Sequence, residues 1–194
     1  MLKYLFLIVL FFCLSACQSR VSKQELIAYL QESSHELSQE YKQAQIALTV
    51  TYRPHELVAY TELKGVEAKQ QRDSILRQYQ DYIYFTLSLS NNKQTIFTGN
   101  TAQAFHENLR KLAFRMGDYV SLRCDEKILA FVDAYLPRTF GMGESTDILL
   151  VFSNKDKQGT GDYRLHIQDI SLNLLPHTFT FRQKDIQNIP SLKS

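Results

Sequence analysis

The sequence predicts a single α+β domain, an antiparallel sheet of about seven strands with two to four helices packed against it or at its ends. Three observations carry that prediction. Several short runs alternate apolar and polar residues with a period of two, as half-buried antiparallel strands do. One segment, from Phe105 to Met116, instead repeats its apolar residues at helical spacing. No repeat, linker or shift in composition divides the 194 residues, a length that suits one domain or two small ones.

Each element follows in order. Ser22 and Glu25 have capping-box spacing. Leu26, Ile27, Leu30, Leu37 and Tyr41 then form a thin apolar stripe, broken at Ser33-Ser34-His35, and the spacing predicts a long surface helix reaching about Ala44. Ile46, Leu48, Val50 and Tyr52 alternate with polar or small neighbours up to Pro54, a strand pattern with its stop. His55 to Lys64 reads as a short helix closed by Gly65. Residues 66–81 are mostly charged and read as an exposed helix resting on Ile75, Leu76 and Tyr79.

The clearest strand is Tyr82 to Ser90. Ile83, Phe85, Leu87 and Leu89 point one way, and Tyr82, Tyr84, Thr86, Ser88 and Ser90 the other. Asn91-Asn92-Lys93 supplies a turn into a short partner at Thr95–Thr98. Phe105, Leu109, Leu112, Ala113 and Met116 then mark a helix stopped by Gly117. The remainder reads as strands over Tyr119–Arg123, Ile128–Leu136, Asp147–Phe152, Tyr163–Leu172 and Thr178–Arg182.

Composition narrows the function. The chain is 44% hydrophobic and carries a net charge of +2. That is too apolar for a disordered chain, and too near neutral to point to nucleic acid, whose binders show a strongly basic domain or face.

The N-terminus carries the most specific signal. Met1-Leu2-Lys3 precedes an apolar run ending at Cys13, and Leu14-Ser15-Ala16-Cys17 follows. This is the layout of a secretory signal peptide, too short to span a bilayer. The tetrapeptide Leu14–Cys17 resembles the lipobox of bacterial lipoproteins. That resemblance implies alkylation of the Cys17 thiol by diacylglycerol, cleavage before Cys17 and acylation of the new amino group. The thiol suits the first step because it ionises far more readily than a hydroxyl. Two or three acyl chains, at roughly 0.8 kcal/mol per buried CH₂, would hold the protein in a leaflet. In lipoproteins of the enterobacterial kind Asp at position 18 favours inner-membrane retention, so that resemblance makes Gln18 permissive for the outer membrane. The lack of an acidic cluster in Ser19–Lys23 implies a periplasm-facing one.

The expected organisation is therefore a cleaved leader at 1–16, a lipidated tether at 17–22 and one α+β domain over 23–194, with the membrane as one partner and an envelope protein as a possible second. Cys124 would be left without a disulfide partner. The chain past residue 16 is long enough to bury roughly 70% of its unfolded surface and needs no staple. Val50 to Leu57, followed by Glu62-Leu63, resembles a phrase in bacteroidete lipoproteins and implies no activity.

A search for chemistry assembles no catalytic set, no metal site and no cofactor motif. His35-Glu36, His55-Glu56 and His106-Glu107 begin like a zinc hydrolase signature, but Gln39, Ala59 and Arg110 stand where the second His belongs. Ser90-Asn91-Asn92-Lys93 matches Ser-x-x-Lys but sits on a turn, with no Lys-Thr-Gly after it. Arg110, Lys111 and Arg115 make a small basic edge that is either a solvated helix face or a contact for anionic headgroups.

Two groups remain as candidate binding residues. Tyr82 and Tyr84, on the polar side of their strand, either stack on sugars or lie under the N-terminal helix. Arg138, Phe140, Met142 and Glu144 lie in a loop between two strands, which is either a plain hairpin connection or a contact surface at one end of the sheet. The leading expectation is a lipid-anchored, non-catalytic interaction or structural module. The alternative is an envelope hydrolase or glycan-binding protein using the 138–147 loop.

Overall fold

A computed structural model describes residues 20–98, 101–137, 143–155, 161–170 and 172–193. The class is α+β, with ten strands in two antiparallel sheets and six helices among these residues. The larger sheet holds β1 (Ser38–Gln43), β2 (Ile46–Arg53), β3 (Tyr82–Asn91), β8 (Thr146–Ser153) and β7 (Phe131–Tyr135) in that order, with β4 (Gln94–Thr95) paired to β3. The smaller sheet runs β10 (His177–Phe181), β9 (Tyr163–Ile167), β5 (Val120–Cys124), β6 (Lys127–Leu129).

The sheets pack face to face. Phe85, Leu87 and Phe152 from the first share one core with Leu122, Leu165, Phe179 and Phe181 from the second. The rings of Phe85 and Phe181 meet at 4.9 Å, and the Tyr41 ring stacks on His177 at 4.1 Å. A period-two pattern reports that one face of a strand is dry. It does not report whether a helix or a second sheet covers that face, and here it is mostly a sheet.

The long N-terminal helix expected over 23–44 is two elements. Helix α1 (Lys23–Gln31) carries the capping box, with Ser22 N donating to Glu25 at 2.7 Å and Glu25 N donating to the Ser22 hydroxyl at 3.3 Å. It ends before a tight turn at Ser33–His35, and Glu36 adopts a left-handed φ of 57°. The chain then forms β1, paired residue for residue with β2 from Ser38↔Thr51 to Gln43↔Ile46. Backbone pairing with an apolar neighbour overrides the helix preference of a Gln- and Glu-rich segment. Leu26 and Leu30 of α1 and Leu37 beyond it all reach the core.

The Ile128–Leu136 run is likewise two strands, split at Ala130 where the chain leaves the smaller sheet for the larger. Other expectations hold closely. The turn at Asn92 and Lys93 takes φ of 50° and 59°, the mirror-image turn that matches strand twist. Helix α5 (Ala102–Phe114) starts at a Thr101 cap whose hydroxyl accepts from Ala104 N.

Between β2 and β3 lie three helices, α2 (His55–Val58), α3 (Tyr60–Leu63) and α4 (Lys69–Tyr79). Gly65, at φ 80°, makes the left-handed step after α3. The last helix, α6 (Gln183–Gln187), leads to a segment that returns to the start of the described chain.

Candidate functional site

The register of the larger sheet gives it two distinct ends. Arg53, Tyr84 and Val151 stand in line at one end; Leu48, Leu89 and Thr146 stand in line nearer the other. Five residues at about 3.3 Å each separate the two rows by about 16 Å. Helices α2–α4 follow Arg53 directly and gather at the first end. The β1–β2 turn and the β3–β4 turn emerge at the second, where β7 ends and β8 begins; the last two residues of the expected 138–147 loop, Thr146 and Asp147, belong to β8.

The candidate tyrosines lie at the first end but make no open platform. Tyr84 is buried, 5% exposed. Its hydroxyl donates to the Tyr79 carbonyl at 3.3 Å, so the helix that covers it is α4 rather than the N-terminal one. Burial, with Tyr79 and Tyr82 beside it, pushes its pKa up to about 12. Tyr82 is half-buried, with the Lys155 ammonium 5.8 Å from its ring centre. Tyr79 donates its own hydroxyl to Glu62 at 2.5 Å, and that hydrogen bond, with burial added, raises it to about 12 as well.

Of the candidate loop, Glu144 is exposed and the Ser145 hydroxyl donates to Asp147 at 2.8 Å. Arg138, Phe140 and Met142 lie outside the described residues, as does Cys17. Just past α5, Arg115 pairs with Asp118 at 2.7 Å.

The remaining reactive side chains are dispersed. The His35 ring stacks on Tyr29 at 3.6 Å, His55 is half-buried on α2, and His106 is exposed on α5. Burial lowers the His55 pKa, against the opposing pull of Glu56. Cys124 is buried, with its thiol donating to the Gly161 carbonyl at 3.4 Å and its pKa raised by burial. A raised thiol is a poor nucleophile. His166 meets the Thr178 hydroxyl at 3.0 Å, a contact imposed by their pairing across β9 and β10. No three His, Cys, Asp or Glu side chains among the described residues gather as a metal would need. No helix among the described residues is long and apolar enough to cross a membrane.

The structure does assemble one feature that the linear sequence conceals. A cleft of about 1260 Å³ opens at the helical end, between the start of α1, the α3–α4 connection and the C-terminal segment. Val21 and Leu192 form a parallel bridge: Val21 N donates to Ser191 O at 2.9 Å and Lys193 N donates to Val21 O at 2.7 Å. Leu192 N donates to the half-buried Glu56 carboxylate at 3.1 Å, which ties both chain ends to α2. Arg72 donates to the Leu63 and Val66 carbonyls and closes the α3–α4 connection.

Around that frame stand five exposed cations: Arg20, Lys23, Lys64, Lys69 and Lys193. The exposed carboxylates in the lining are Glu67 and Asp73. The Lys23 ammonium lies 4.7 Å from the centre of the Tyr60 ring, a cation–π contact that holds its stem across the cleft. Three separate parts of the chain supply these cations, so no local motif announces them; the only linear hint is the pair Arg20 and Lys23 beside the expected tether. The surface is suited to attracting anions. No protein-family model matches the chain, and no curated protein matches it in sequence.

Proposed function

We propose that the protein is a lipid-anchored component of a bacterial cell envelope, held by Cys17 on the periplasmic face of the outer membrane, and that it acts as a non-catalytic interaction module. The observation that carries this reading is the polarity of the fold. The chain enters at Val21, clamped to the C-terminal segment at the helical end of the larger sheet, while Glu144 and Ser145, just before β8, lie at the opposite end. A domain tethered at its helical end turns its loops, including Glu144, away from the leaflet and toward a partner. The lipobox resemblance at Leu14–Cys17 supports the anchor.

Growth with labelled palmitate tests the anchor. Label is expected in the wild type and absent from Cys17→Ser, which should move from the membrane pellet to the soluble fraction. An unlabelled wild type, or a Cys17→Ser protein processed normally and still sedimenting with membranes, overturns it. Crosslinking in intact cells through a photoreactive residue at position 144 tests the outward end. One reproducible envelope protein adduct is expected, and the absence of any adduct above background counts against the interaction role.

A further inference from the structure

We propose that the basic rim of the cleft docks on the anionic phospholipid surface of the leaflet that holds the anchor, and so fixes the orientation of the domain. This rests on the lipid-anchor reading above. Four residue steps lead from Cys17 to Val21, and at up to about 3.5 Å each they let the clamped start of the fold stand no more than about 14 Å from the Cα of the acylated Cys17. Arg20 and Lys23 flank that point, and Lys64, Lys69 and Lys193 surround it from the end of α3, the start of α4 and the C-terminal segment. A tether this short brings the rim to within roughly one or two screening lengths of the headgroups, about 8 Å each at physiological salt.

The charges are suited to the contact. Five exposed cations line the cleft against the exposed carboxylates Glu67 and Asp73, and Glu56 is turned inward onto Leu192 N; Glu25, exposed at the start of α1, accepts from Ser22 N and feels the charge of Lys193, so the rim keeps an excess of positive charge. Lysine ammonium groups on long stems reach a fluid, chemically uniform surface without requiring shape complementarity. The cleft is correspondingly open and mixed rather than an enclosed apolar pocket of the kind that grips a small ligand. Arg115, at the C-terminal cap of α5, is by contrast engaged with Asp118 and does not line the cleft.

The test uses the lipidated full-length protein in vesicles of phosphatidylcholine alone or with one-third phosphatidylglycerol. Flotation reads the anchor. Acylation by a water-soluble ester, followed lysine by lysine, reads orientation. Lys64, Lys69 and Lys193 should react about fivefold more slowly on the anionic vesicles, given the attraction expected per lysine at such a surface. High salt should abolish the difference. Lys42, on β1 near the opposite end of the sheet, should react equally on both. In the double variant K64E/K69E, Lys193 should lose its protection while flotation and melting temperature stay unchanged.

Flotation on both vesicles with uniform labelling overturns this proposal and leaves the anchor standing. Protection of Lys42 as strong as that of Lys64 overturns it, and so does protection produced on neutral vesicles by millimolar inorganic phosphate. A protein that floats with neither vesicle removes the anchor reading and the docking surface together.

Discussion

The two faces of strand β3 share one backbone and meet opposite fates. Ile83, Phe85, Leu87 and Leu89 are buried along the whole strand against the second sheet. On the other face, Tyr84 is buried beneath α4, whereas Thr86, Ser88 and Ser90 are half-open. Among the described residues, the inner face is covered by elements that span the sheet, whereas the outer face is buried at Tyr84, where α4 packs, and at Thr51 on β2. Stability therefore resides on one side of the sheet, and the surface free to be used lies on the other side and at the helical end.

The largest expected break in this comparison is Phe85→Ala. The ring is fully buried and touches Tyr52, Phe152 and Phe181 at 5.7, 6.3 and 4.9 Å between centroids. Removing it leaves a cavity between two rigid sheets and should cost about 3–5 kcal/mol in urea unfolding. A loss below about 1 kcal/mol would mean that the sheets do not close on one another as described.

How much of this was legible before the structure follows from the same contrast. The alternation of β3, the spacing of α5, the Ser22–Glu25 box and the Asn92-Lys93 turn are local signals, and each element stands where its residues put it. Strand β1 was not legible. It is an edge strand of Ser, Gln, Glu, Tyr and Lys, pairs with a single neighbour, and buries only part of one face, so its composition favours helix while its partner imposes strand. The break at Ala130 was hidden because apolar residues continue unbroken as the chain changes sheets. The cleft had no linear signature, since its cations converge only after Val21 and Leu192 pair. Tyr82 and Tyr84 were visible as outward-facing, but their cover depends on where α4 folds back.

Alkaline titration sharpens the comparison further. Tyr79 and Tyr84 both titrate near 12 in the fold against about 10 in an unfolded chain. A neutral form favoured by folding contributes stability that is fully present below pH 10 and lost as pH rises from 10 toward 12. Unfolding free energy should therefore fall across that interval. Tyr84→Phe should flatten the decline and remove one late-titrating phenolate from the absorbance curve. An unchanged slope would place Tyr84 in contact with solvent.

A smaller effect is expected at Thr86, whose hydroxyl accepts from Arg53 Nε at 2.8 Å on the outer face. Arg53 is half-buried, and burial lowers its pKa against the opposing influence of Asp147. Thr86→Ala should cost about 1 kcal/mol by leaving that N–H without its partner, and Thr86→Ser should restore it. Equal losses for Ala and Ser would assign the effect to the methyl group and to strand propensity instead.

The smallest effect lies at the edge. Lys42 and Glu40 pair at 2.7 Å, both exposed, on β1. A double-mutant cycle on this pair should return a coupling below about 0.5 kcal/mol, because an exposed pair is screened and orders two long side chains. Their physical value lies elsewhere. With one neighbour only, β1 leaves a row of unpaired backbone groups, and charges along such an edge discourage another strand from adding to it. Replacing both with Val should therefore leave unfolding nearly unchanged while raising concentration-dependent association in sedimentation. If the Val variant associates no more than the wild type, the edge is guarded by something other than its charges, and the cross-sheet stack of Tyr41 on His177, which holds β1 against β10, becomes the next residue pair to remove.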